Sequence, residues 1–201
     1  MLSAWFYKYI LYHRNVFVVI STPMTQHTMD QIRNVILQVE ELKNKKHFQN
    51  ALKIVEKALI QYSDDYRLYE ELADVYLYIW DNEKANKALD FALTLNSESA
   101  TGNYLKWFIL LSQDKIIASI PYLEKSNRLF GNNAEVLRNL GWAYTMAWQT
   151  EKWIIILKRA LNIAPHDELI TEDLAMALIG IWSIVEGNKL LKQIGKTAHT
   201  K

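Results

Sequence analysis

Cysteine is absent from this 201-residue chain. That excludes a disulfide framework and any metal site built on thiolates, and it is compatible with a reducing, cytoplasmic setting. Neither charge sign dominates: 23 lysines and arginines stand against 22 aspartates and glutamates, a net charge of +1. The clustered basic excess that nucleic-acid binding requires is missing. Glycine is scarce, with six residues where the usual share of about 7% would give roughly twice as many. Tryptophan, normally the rarest residue, is instead abundant at seven. Half of the residues are hydrophobic, enough to bury a continuous core in one or two ordinary domains or in one short array of repeats.

No uninterrupted apolar run reaches the ~20 residues of a membrane span. The nearest approach is the first segment, 1–31, where Lys8, His13, Arg14 and Asn15 break the run. A secretory signal places its positive charges ahead of an unbroken apolar stretch, and here they sit inside it. Three readings of 1–31 stay open. It caps the first repeat, or residues 1–20 anchor the chain on a membrane surface, or it is upstream sequence read in ahead of a start at Met24 or Met29.

From Ile32 onward the chain repeats every 34 residues, in units 32–65, 66–99, 100–133, 134–167 and 168–201. Small residues recur seven apart in the second half of each unit, at Ala51 and Ala58, Ala85 and Ala92, Ser119 and Ser126, then Ala160 and Gly187. Seven residues make two helical turns, so each pair shares a face that another helix can approach closely. The first half of each unit carries an apolar stripe: Leu72, Ala73 and Tyr76 recur as Leu140, Gly141 and Tyr144, and as Leu174, Ala175 and Leu178. Units close on Asp65, Ser99, Asn133 and Asp167, all side chains able to cap the helix that follows. The spacing predicts two amphipathic helices per unit.

This pattern resembles the tetratricopeptide repeat, whose signature is W-x2-L-G-x2-Y, then A-x3-F, then P over 34 residues. Unit 134–167 supplies Leu137, Leu140, Gly141, Tyr144, Leu157, Ala160 and Pro165 in that order. Unit 66–99 supplies Tyr69, Leu72, Ala73, Tyr76, Ala85, Leu89 and Ala92. The resemblance covers 32–201 and implies an all-α, right-handed solenoid of about five helix-turn-helix units. The third unit departs from it twice. Lys106 takes an apolar place, and Pro121 falls inside the second helix, where the expected outcome is a kink costing ~3 kcal/mol rather than a broken repeat.

Five tryptophans sit where the family keeps small residues. Trp80, Trp148 and Trp182 share the turn between the two helices, a place for glycine because a tight turn there takes a positive φ. Trp107 aligns with Ala73, Gly141 and Ala175, and Trp153 aligns with Ala51 and Ala85. An indole in such a slot is expected to cost at least the ~1–3 kcal/mol of overpacking. The five could form an aromatic stripe for ligand binding, or be merely tolerated. They could also be UGA codons that some bacterial lineages decode as glycine. The last reading fits best, because it turns six glycines and seven tryptophans into eleven and two.

No catalytic constellation is present. His13, His27, His47, His166 and His199 are scattered without metal-ligand spacing, and there is no phosphate loop or nucleophile elbow. Neither a cofactor nor a metal is expected, and the chain is expected not to be an enzyme. By register with the family, the first helices line a concave groove. Its candidate residues are Arg33, Ile36, Glu40, Arg67, Glu70, Asp74, Tyr78, Tyr104, Phe108, Ser112, Arg138, Trp142 and Thr145. The Lys and Asn with which some relatives clamp a peptide carboxylate are replaced by Ile36 with Glu40, Glu70 with Asp74, and Tyr104 with Phe108. The resemblance therefore implies a protein or peptide partner with basic and apolar side chains. A membrane-surface adaptor and the regulatory subunit of an enzyme are the alternatives. In the last unit, Ile181, Ile184, Leu190, Leu191 and Ile194 are expected to leave an apolar face open to self-association.

Overall fold

The computed structural model describes residues 25–196. The readings of residues 1–20 as an anchor and of Met24 as a start lie outside them. Ten helices follow one another among the described residues, pairing as α1 (Gln26–Asn44) with α2 (Phe48–Gln61), α3 (Tyr66–Tyr78) with α4 (Asn82–Leu95), and α5 (Ala100–Ser112) with α6 (Ile116–Phe130). α7 (Ala134–Met146) pairs with α8 (Thr150–Ile163), and α9 (Glu168–Gly180) with α10 (Ile184–Gln193). Each pair packs most extensively within itself and otherwise on its chain neighbours, the arrangement of a solenoid. α1 begins at Gln26, so residues 26–31 belong to the first helix.

The caps fall where their residue types predict. The side chains of Asp65, Ser99, Asn133 and Asp167 accept hydrogen bonds from the amides of Arg67, Gly102, Val136 and Ile170 at 2.9, 3.1, 3.0 and 3.0 Å. Each satisfies one of the free N–H groups at a helix start. Within every pair the first helix ends in the same way. Lys46, Trp80, Asp114, Trp148 and Trp182 have φ of 59, 62, 57, 58 and 66°. The amide after each reaches back five residues, as His47 does to the carbonyl of Leu42 at 2.8 Å and Ser183 to that of Leu178 at 2.9 Å. This left-handed closing turn is a Schellman motif.

Clusters of buried apolar residues follow one another along the array. Val39, Ala51, Ala73, Ala85 and Ala92 lie fully buried between the first two pairs, and Leu137, Leu157, Ala160 and Ala175 play that part further on. The helices of a pair cross where the eighth residue of the unit meets the twentieth. At that crossing Trp153 Cδ1 stands 3.5 Å from where a Cβ on Gly141 would be. Leu157 comes closer still, its Cγ 3.0 Å from that point, so the missing side chain is needed chiefly for this leucine.

At four places the structure bears on what the sequence leads one to expect. Pro121 lies within α6, which runs from Ile116 to Phe130, so the repeat is not broken there, as expected. Lys106 is buried, but its ammonium is held by Asn86 Oδ1 at 2.8 Å and by Asp90, so the apolar place is filled by a paired cation. Trp107 is accommodated in the core beside Tyr104, its ring centroid 5.2 Å away, although its indole N–H finds no partner. In the last pair, Ile181, Ile184 and Val185 are exposed, whereas Leu191 is buried and Leu190 and Ile194 are half-buried, so the open apolar face is smaller than expected.

Candidate functional site on the wall of first helices

The first helices of successive pairs stand side by side, α1 against α3 and α3 against α5, and polar side chains join them. At the first joint the Lys43 ammonium bonds Glu40 at 2.5 Å on its own helix, and Glu71 at 3.0 Å and Asp74 at 2.5 Å on α3. Burial pulls the Lys43 pKa down, but Asp74 and Glu71 outweigh it and hold the amine above its ordinary value. These three carboxylates have oxygens within 4.8 Å of one another, a spacing that suits a cation, and the lysine supplies one.

At the second joint Glu70 is buried against the start of α5. Burial pushes its carboxyl up to about 7, while the Ser99 hydroxyl and Gly102 amide favour the charged form. One carboxyl oxygen lies 2.6 Å from where a Cβ on residue 102 would stand, which explains glycine there. At the third joint the Tyr104 hydroxyl donates to Glu135 at 3.3 Å and accepts from Asn139 at 2.8 Å. Burial, followed by Glu135, pushes that phenol up to about 12. At the fourth joint Arg138 pairs with Asp173 at 2.6 Å.

The expected groove residues therefore divide into two groups. Glu70, Tyr104 and Arg138 hold helices together, and Arg67 folds back on its own cap residue, Asp65, at 2.6 Å. Tyr78 stacks on Phe48 with centroids 5.3 Å apart and remains half exposed. Arg33 and Glu40 are exposed, and Asp74 is half-buried. Phe108 and Trp142 are each 43% exposed. Met176, absent from the expected set, occupies the same place one unit later and is 53% exposed. Extending the 34-residue step from Phe108 and Trp142 would have found it. Lys43 was also missed, because an isolated lysine gives no sign of the three carboxylates waiting for it.

Among the described residues, ten helices in five capped pairs, closed by the same left-handed turn at one period, define the architecture. The fold is that of the tetratricopeptide-repeat (TPR) proteins. No family model matches the chain. Among solved TPR structures it is similar to MamA from Desulfovibrio magneticus RS-1, at TM-score 0.70 and 17% identity over 82% of this chain and 93% of that one. It is also similar to PilF from Pseudomonas aeruginosa, at TM-score 0.75 and 15% identity over 86% and 79%. YrrB, a TPR protein with an unusual peptide-binding site, aligns at TM-score 0.65 and 16% identity over 79% and 81%. At such identities the likeness is one of TPR fold. Among the described residues no helix is long and apolar enough to cross a membrane.

Proposed function

We propose that this chain is a non-enzymatic binding module of the cytoplasm that holds a peptide or an extended protein segment along its wall of first helices. One observation carries the reading. Phe108, Trp142 and Met176 occupy one place on the first helices of three successive pairs and leave large apolar side chains between 43 and 53% exposed. Aromatic groups so presented offer contact area at small entropic cost, which is how binding hot spots are built. The polar residues around them are committed to the joints, so the wall keeps its shape when a ligand arrives. The peptide-binding site of YrrB, on the same fold, supports this reading.

The test is selection from a display library of short peptides, followed by fluorescence anisotropy with the peptides recovered. Phe108→Ala with Trp142→Ala is expected to weaken binding at least about tenfold. Undiminished binding by that double variant removes the wall from consideration. Self-association through the exposed Ile181, Ile184 and Val185 is a subsidiary part of the proposal. Light scattering that finds only monomer across micromolar concentrations ends it.

A further inference from the structure

We propose that the segment bound by this wall is two-ended, basic where it crosses α1 and α3 and apolar where it crosses α5, α7 and α9. This deepens the peptide-binding reading and rests on it. Following one place from unit to unit gives Glu40, Asp74, Phe108, Trp142 and Met176, so the character changes once, from acidic to apolar. Around the first two the Glu71 carboxylate makes a third negative group, against the single ammonium of Lys43. That ammonium is nearly buried, with 4% of its side chain exposed, whereas Glu40 is 48% exposed and Asp74 28%. The surface of the cluster is therefore carboxylate oxygen, with the neutralising cation underneath. Arg33 stands seven residues before Glu40, two turns or about 10 Å along α1. At the other end Arg138 is cancelled by Asp173, and Glu172 by Lys196, so contact there is mainly apolar. An acidic segment would bring like charges onto Glu40 and Asp74, a repulsion that rejects wrong partners.

About twelve extended residues span about 40 Å, the width of four or five helices packed 8–10 Å apart. The probes are three fluorescein-labelled peptides of about that length. One has two lysines at one end and phenylalanine and leucine at the other, made in both chain orders. The second has the lysines changed to glutamate, and the third has the apolar residues changed to serine. The first is expected to bind about tenfold more tightly than the others, with its advantage over the glutamate peptide shrinking at high salt. Glu40→Gln with Asp74→Asn is expected to reduce that advantage about fivefold, while leaving the penalty for serine unchanged. A glutamate peptide that binds as well as the lysine peptide overturns the two-ended reading alone. If none of the peptides binds, peptide binding by this wall falls with it.

A second inference rests on the backbone. We infer that residues 80, 107, 148, 153 and 182 are glycine in the cell that makes this protein, which decodes UGA as glycine. Trp80, Trp148 and Trp182 adopt φ of 62, 58 and 66° and are 85, 91 and 86% exposed. A left-handed backbone costs an L-residue about 1–2 kcal/mol, and side chains so exposed recover little of it by packing. Trp107 buries an indole N–H without an acceptor at a place held elsewhere by Ala73, Gly141 and Ala175. Trp153 shares its place with Gly187 and with Ala51 and Ala85, both fully buried, a place that small residues hold elsewhere in the array. Trp142 differs, being on the helix face that also carries Phe108 and Met176. UGA is therefore expected at the five positions and UGG at 142, with glycine at the five in peptide masses from the source cell. UGG at the five codons, or tryptophan in those masses, overturns it.

Discussion

A Cβ added to Gly187 would stand 2.7 Å from the carbonyl oxygen of Ala175 and 2.6 Å from Ile179 Cγ1. Backbone oxygen cannot swing aside as the end of a side chain can, so α9 and α10 cross at a distance that only hydrogen fits. The same crossing tolerates Ala85 in the second pair, which shows how finely separation varies along one array.

Gly187→Ala should lower stability by about 1–3 kcal/mol, the usual cost of overpacking, even though alanine favours helix. Urea unfolding followed by circular dichroism checks it. An unchanged midpoint would show that the helices can move apart freely.

Each of Ser99→Ala and Asp167→Ala should cost about 1 kcal/mol through loss of a helix cap. Ser99 should be the more damaging of the two, because its hydroxyl also faces the buried Glu70 carboxyl. Thermal melts of the two variants, alone and combined, decide this.

Glu70 gives the fold a dependence on pH. Its carboxyl is raised from an ordinary 4.5 to about 7, so between those values the folded chain holds a proton that the unfolded chain has lost. Stability from this group is full below about pH 4.5 and falls as pH rises through 7. Glu70→Gln should flatten that decline, and should stabilise the chain at pH 8 by about 1–3 kcal/mol. A melting temperature that varies with pH equally in both proteins would refute it.

Lys43→Met should destabilise the chain by about 3 kcal/mol at neutral pH, because Glu71 and Asp74 would then face Glu40 without a cation. Adding Glu71→Gln and Asp74→Asn should restore much of the loss. If the triple variant is no more stable than the single one, the joint is held by packing rather than charge.

How much of this was legible depended on what kind of signal each residue leaves. Asp65, Ser99, Asn133 and Asp167 could be read as caps because capping is local, an oxygen reaching an amide two or three residues ahead. The turns at Trp80, Trp148 and Trp182 were legible for a related reason, since one period placed all three at a helix end. The joints were not. Glu70 and Arg138 have the right register for a groove, but their use depends on partners 29 to 35 residues away, at Ser99 and at Asp173. Lys106 has the look of a defect in the sequence, but Asp90, on the preceding helix, pairs with its ammonium. Residue type and period establish where a side chain points. They do not say whether a neighbour has already claimed it.

The four joints between first helices are made from unlike materials: an ammonium among carboxylates, a buried carboxyl at a helix start, a phenol between an amide and an acid, and a guanidinium pair. The wall is thus held by a different chemistry at each step along its length. Rising salt softens the half-exposed Arg138–Asp173 joint before the shielded Lys43 joint, and a rise of pH through about 7 loosens the Glu70 joint. Solution conditions would therefore loosen such a wall one joint at a time, letting its two ends adjust separately to whatever lies along it.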